Sequence, residues 1–178
     1  MSILKVSQMG HPVLRRVAAP FHPEHIETEA FQRLVTDMEE TMVAYQGAGL
    51  AGPQVHVANR ILVYQSMGED GEPEIQTLVN PTIEPESEEQ ESDWEGCLSI
   101  PGILGLVPRH ARIHVTALDD EGEALDYIAQ DFEARVIQHE VDHLDGILYF
   151  DRMENLSSLT YTTEHKLFWT APEVDEEE

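Results

Sequence analysis

The stretch that most constrains the fold is Gln138-His139-Glu140-Val141-Asp142-His143. Residues four apart on an α-helix stand on one face, one above the other. His139 and His143 therefore offer two imidazole nitrogens to one metal ion from a single rigid element. Glu140, one position round, places a carboxylate beside a water on that ion, which is the H-E-x-x-H arrangement of two ligands and a general base. Two surface histidines beside a solvated acid would give the same pattern, so the rest of the chain has to decide.

Around this stretch the pattern predicts a helix over Asp131 to Leu144, with Asp131 as N-cap, Gly146 as C-terminal glycine and Phe132, Val136 and Ile137 as apolar anchors. Phe31, Leu34, Val35, Met38, Met42 and Tyr45 keep helical spacing, which predicts a core-facing amphipathic helix over Glu27 to Tyr45. His11 to Leu14 reads as one short helical turn, and Asn155 to Trp169 as a last amphipathic helix. Ile61 to Tyr64, Thr77 to Val79 and Pro81 to Ile83 are β-rich, with Glu69-Asp70-Gly71-Glu72 turning between the first two. Arg112 to Leu118 alternates as a strand, and Asp119-Asp120-Glu121-Gly122 is a hairpin turn into a partner through Leu125 to Ile128. Helix, then strands, then helix predicts an α+β fold with an antiparallel sheet.

At 178 residues and 41% hydrophobic content the chain suits one globular domain, expected over residues 1–170. Neither a signal peptide nor a long apolar run is present, which predicts a soluble, cytoplasmic protein without membrane contact. The net charge of −25 is extreme. Part of it lies in Glu84 to Glu95 and in Glu173 to Glu178, read as a solvated loop and a disordered tail over 171–178. Such a surface repels phosphate, which excludes direct nucleic-acid and anionic-lipid partners and leaves a cationic metal as the natural ligand.

A catalytic zinc-type site has three protein ligands and an open position for water. Cys97 is the sole cysteine, so an internal disulfide is excluded. The preceding Gly96 permits close backbone approach and favours Cys97 as third ligand over an inert buried thiol. Gly47-Ala48-Gly49-Leu50-Ala51-Gly52-Pro53-Gln54 forbids regular helix and invites a ligand. A phosphate loop is discounted there, because no Lys-Ser/Thr follows.

The three stretches Gly47 to Gln54, Glu95 to Ser99 and Gln138 to His143 resemble, in order and separation, the signature motifs of the peptide deformylases. The resemblance runs from Gly10-His11-Pro12-Val13-Leu14 to about Asp151. It implies an α+β fold with antiparallel sheets packed around the metal-binding helix, and a hydrolase that removes the formyl group from the N-terminal formylmethionine of new bacterial or organellar polypeptides. By matching position it implies Cys97, His139 and His143 as metal ligands and Glu140 as general base, then acid. Gln54 and the Leu98 N–H would stabilise the developing oxyanion, and Gly49, Leu98 and Val136 would contact substrate. Glu95 is expected to pair with Arg109, with Asp142 as a second partner. One thiolate and two imidazoles suit Zn²⁺ by affinity order. The resemblance implies physiological Fe²⁺ instead, with Zn²⁺, Ni²⁺ or Co²⁺ able to substitute, in a monomer.

Ala48, Gly52 and Leu104 depart from the usual family pattern, at positions where the resemblance places substrate contacts. Hydrolysis is expected to be retained while peptide or acyl preference shifts. The acidic tail predicts weak or absent ribosome binding through that segment. Two other readings are an H-E-x-x-H endopeptidase and a deformylase-like protein that binds peptides without turnover. The thiolate ligand and the oxyanion glutamine disfavour the first, and intact ligands and base disfavour the second.

Overall fold

The computed structural model describes residues 2–68 and 71–170. Among these lie α1 (Glu29–Ala44), α2 (Asp131–Leu144) and α3 (Thr162–Phe168). The strands are β1 (Gly49–Ala51), β2 (Ile61–Met67), β3 (Pro73–Pro85), β4 (Gln90–Cys97), β5 (Ile100–His110), β6 (Arg112–Leu118), β7 (Ala124–Gln130) and β8 (Thr160–Tyr161). Five strands form an antiparallel sheet in the order β1-β2-β3-β6-β7, and β4-β5-β8 form a second. The architecture is α+β, as the order of elements predicts. No helix among the described residues is long and apolar enough to cross a membrane.

The larger sheet is covered on both faces, and β2 shows why. Ile61, Leu62, Val63 and Tyr64 are all buried, so alternate residues must face two different layers. Ile61 and Val63 pack with Phe31, Val35, Met38 and Met42 of α1. Leu62 and Tyr64 pack with Ala134, Ile137, Val141 and Leu144 of α2. These α2 residues recur at helical spacing and make one apolar stripe. The other side of α2 carries Arg135, Gln138, His139, Asp142 and His143, which are also buried. Their partners come largely from the smaller sheet, so α2 is held between an apolar layer and a polar one.

Several expected elements differ in extent. The first helix is trimmed to Glu29–Ala44, with Thr28 accepting the Phe31 N–H as N-cap and Tyr45 beyond its end. Glu84 to Glu95 is not a solvated loop: β3 runs to Pro85 and β4 begins at Gln90, because the charged side chains stay in water while the backbone pairs with β5. The strand Ile100–His110, unanticipated from its weak alternation, completes that hairpin. Asp131 is not the N-cap. It stands inside the helix with φ +54, and Gln130 takes the cap position without a side-chain bond. Phe132 anchors no core and is 63% exposed.

The helix expected over Asn155 to Trp169 is broken. Asn155 accepts the Ser157 N–H and winds a 3₁₀ turn, and Thr160 and Tyr161 then pair with Leu104 and Ile103 before α3 starts. The turns are as expected: Gly122 N–H donates to the Asp119 carbonyl, and Gly122 has φ +87. Of the turn between β2 and β3, Glu69 and Asp70 lie outside the described residues, as does the acidic tail.

Candidate active site

Two of the relevant side chains come from α2 and one from a hairpin. Cys97 ends β4, and the two-residue turn Leu98-Ser99 leads into β5. The ladder pairs Gly96 with Leu104 but Cys97 with Ile100, so residues 101–103 bulge out and Cys97 is turned towards the helix. Donor atoms of Cys97, His139 and His143 all lie within 4.8 Å of one another. The thiol Sγ is 3.2 Å from His143 Nε2. His139 turns its Nδ1 to Glu95 Oε2 at 2.8 Å, which leaves Nε2 for the centre. One thiolate and two imidazoles in a buried cluster are a donor set for a divalent transition metal, and this set fits one.

Burial and close polar contact perturb the titration of this cluster. Burial alone would lower the His139 pKa, but hydrogen bonds to Cys97 and Glu95 and the charges of Cys97 and Glu140 outweigh it and raise it well above the usual range. His143 is lowered well below that range, chiefly by burial and then by the charge of His139. Burial pushes the Glu140 carboxyl up to about 7, against the pull of His139. Its Oε2 is buried without a partner among the described residues, a carboxylate oxygen kept ready for a ligand.

Behind the cluster runs a chain of ion pairs. Glu95 accepts from Arg109 at 2.9 and 3.0 Å and from Arg135 Nη1 at 2.9 Å, as well as facing His139. Burial raises the Glu95 pKa, yet the bonds from His139 and Arg109 bring it down to about 2, so it stays ionised. Arg109 also reaches Asp142 Oδ2 at 2.5 Å, and Asp142 is met from outside by Arg152 at 2.6 Å. The expected pairing of Arg109 with Glu95 and Asp142 is present. Sequence reasoning missed Arg135, which further bonds the carbonyls of Val107 and Glu91. Its position four residues before His139, on the same helix face, was the available signal.

Gln54 sits on a 3₁₀ turn, Gly52–Val55, directly after β1. Its Oε1 accepts the Ala51 N–H at 2.7 Å, which fixes which end of the amide is which. Nε2 therefore points at Ser99 Oγ, 3.3 Å away, and at Cys97 Sγ, 3.6 Å away. The Leu98 N–H has no partner among the described groups. A cavity of about 710 Å³ opens here, lined among others by Gly49, Gln54, Leu98, Val136, His139 and Glu140. The sequence-expected site residues thus gather at one place: all but His143 line the cavity, and His143 joins them through its contact with Cys97. Tyr45, Trp94 and Phe132 also line the cavity and were not foreseen. Phe132 had a signal, since it precedes Val136 by four.

The three departures separate. Ala48 lines the cavity. Gly52 and Leu104 do not: a Cβ on Gly52 would lie 2.9 Å from the carbonyls of Val57 and Asn59, and Leu104 packs across Gly96. Of the three, Ala48 lines the cavity wall, Gly52 is packed against backbone and Leu104 lies over Gly96.

A family model described as polypeptide deformylase matches residues 3–158. The chain belongs to the polypeptide deformylase family. A curated relative named peptide deformylase 2, from Ralstonia nicotianae, is 42% identical over 165 residues, covering 90% of this chain and 92% of the relative. Peptide deformylase 1 of Bordetella pertussis is 43% identical over 162 residues, covering 88% and 91%. A solved class I type b peptide deformylase from Acinetobacter baumannii, bound to Met-Ala-Ser, is 34% identical with a TM-score of 0.80, covering 86% of this chain and all of the other. The chain is accordingly an enzyme, a metal-dependent hydrolase of this family.

Proposed function

We propose that the chain removes the formyl group from the N-terminal formylmethionine of newly made polypeptides and releases formate. The observation that carries this reading is the meeting, on one cavity, of the Cys97-His139-His143 donor set with the Glu140 carboxyl and the Gln54 amide nitrogen. Cys97, His139 and His143 would hold one divalent ion. Such an ion supplies acidity, lowering the pKa of a coordinated water from about 15.7 to about 7, and polarises a carbonyl.

Glu140, buried and poised near neutrality, takes the proton of the attacking water. It later delivers a proton to the departing amine, which leaves poorly unprotonated. Gln54 Nε2 and the Leu98 N–H donate to the formyl oxygen as it gains charge. One such donor is worth about 10²–10³ in rate. Gly49 brings the edge of β1 to the peptide, which can add as a strand. Val136 and Ala48 form part of the wall for the methionine side chain, and the small Ala48 leaves room that bears on acyl and peptide preference.

The relatives named above are bacterial, and on that ground we read the enzyme as a monomer of the bacterial cytoplasm. Residues 1–170 are read as the catalytic domain and 171–178 as an acidic tail. Fe²⁺ is the proposed physiological metal, with Zn²⁺, Ni²⁺ or Co²⁺ as substitutes; metal analysis after anaerobic purification from cells grown with iron tests it. Ribosome contact through the acidic tail is expected to be weak or absent. Tight pelleting with ribosomes that is lost on removing residues 173–178 would overturn that.

The decisive experiment measures formate release from formyl-Met-Ala-Ser by the anaerobic holoenzyme beside Glu140→Ala. The parent is expected to turn over and the variant to lose about 10²–10⁴ in kcat at unchanged metal content. A metal-loaded parent that binds the peptide without releasing formate overturns the reading.

A further inference from the structure

The N-terminal arm belongs to none of the three motifs and to no helix or sheet, yet Val6 and Ser7 on it are buried. Its amides explain why. Leu4 N–H donates to Thr41 Oγ1 at 2.8 Å, which anchors the arm on α1. Ser7 N–H donates to the Gln54 carbonyl at 2.7 Å, and Met9 N–H donates to the Ser99 carbonyl at 2.8 Å. Gln54 and Ser99 are 45 residues apart and sit beside different sheets. Among the described residues no backbone hydrogen bond runs directly between the Gly52–Val55 turn and the Cys97–Ile100 hairpin. The arm therefore makes the backbone bridge between them. The side chains close the ring, with Gln54 Nε2 donating to Ser99 Oγ at 3.3 Å. Ser7 Oγ also bonds His56, which ends the Gln54 turn with φ +66.

We propose that Ser7 and Met9 are positioning residues for the hydrolysis. Their backbone N–H groups set the separation between the Gln54 amide and the Leu98 N–H, which directly precedes Ser99. The inference rests on the function proposed above, in which those two groups donate to one oxygen. Donors of this kind act only when held about 2.7–3.1 Å from the place the charge will occupy. A misplacement of about 1 Å can cost on the order of 10²-fold in rate. Val6 and Gln8 on the same arm line the cavity, so the bridge lies where substrate and donors meet.

Proline removes the N–H and fixes φ; at Ser7 it also removes the hydroxyl that bonds His56, so Ser7→Ala is assayed as its control. Ser7→Pro and Met9→Pro, each alone and combined with Gln54→Ala, are assayed as holoenzymes for kcat, KM and metal content with formyl-Met-Ala-Ser. Each proline is expected to lower kcat about tenfold or more, with KM and metal content little changed. In the Gln54→Ala background most of that loss should vanish, because residues acting through one group are non-additive. Losses that simply multiply, or that track a fall in metal content, overturn the proposal. Ser7 is buried and Met9 is 52% exposed, so Met9→Pro is the variant expected to fold in any case, and full kcat in it overturns the proposal alone. A parent that releases no formate removes the function and this inference together; an active parent with multiplicative losses removes only this inference.

Discussion

At the scale of single residues, the active site depends on atoms that are missing as much as on those present. A Cβ built on Gly49 would stand 2.5 Å from Glu140 Oε1 and 2.7 Å from its Cγ. The glycine lets β1 lie directly against the general base, and Gly49→Ala must push that carboxylate aside. We expect kcat to fall about 10²-fold while metal content and KM change little. Wild-type kcat in Gly49→Ala would show that Glu140 needs no such confinement. The sequence pointed to Gly49 as a point of close approach but assigned the approach to substrate. Its contact with Glu140 is long-range, across 91 positions of chain, and nothing in the local pattern encodes it. The ligands were legible for the opposite reason: His139 and His143 share a helix face by local geometry, and Cys97 was the only thiol available.

At the scale of elements, α2 is the piece whose environment the sequence half disclosed. Its apolar stripe, Ala134, Ile137, Val141 and Leu144, follows helical period, yet of these the sequence reading named only Ile137, beside the buried Val136 and the exposed Phe132. Its polar stripe is equally buried, and periodicity cannot distinguish a buried polar face from a solvated one. The same limit made Glu84 to Glu95 look like a loop, since β4 carries water-facing acids outside and Glu95 within. Arg135 shows what the polar face is for. It joins α2 to Glu95 and to the carbonyls of Glu91 and Val107, so it fixes the helix against β4 and β5. Arg135→Met removes a buried cation and strands part of the Glu95 charge, a loss of about 3 kcal/mol. For a domain of this size the midpoint of thermal unfolding should fall by about 10 °C. Because Glu95 orients His139, metal affinity should also weaken about 10–100-fold. A variant that keeps both the parental midpoint and the parental metal affinity would show that Arg109 alone supports Glu95.

At the scale of the whole molecule, charge is the unusual quantity. There are 35 acidic residues against 10 lysines and arginines, for a net charge of −25. Several of those few cations are committed to fixed pairs, Arg109 and Arg135 with Glu95, Arg60 with Asp145, Arg152 with Asp142. The remaining surface is dominated by like charges, whose mutual repulsion opposes compaction. Salt screens exposed charges strongly, with a Debye length near 10 Å at 0.1 M and near 3 Å at 1 M, and screens buried pairs much less. The sign follows. Added salt should relieve the surface repulsion while leaving the Glu95 pairs nearly intact, so stability should rise with ionic strength. Sodium chloride is the proper probe, because sulfate strengthens burial by a separate route. We expect the unfolding midpoint to climb by several degrees between about 0.02 and 1 M sodium chloride, with metal content held constant. A midpoint that falls instead would mean that surface ion pairs contribute more to this fold than the repulsion among its carboxylates takes away.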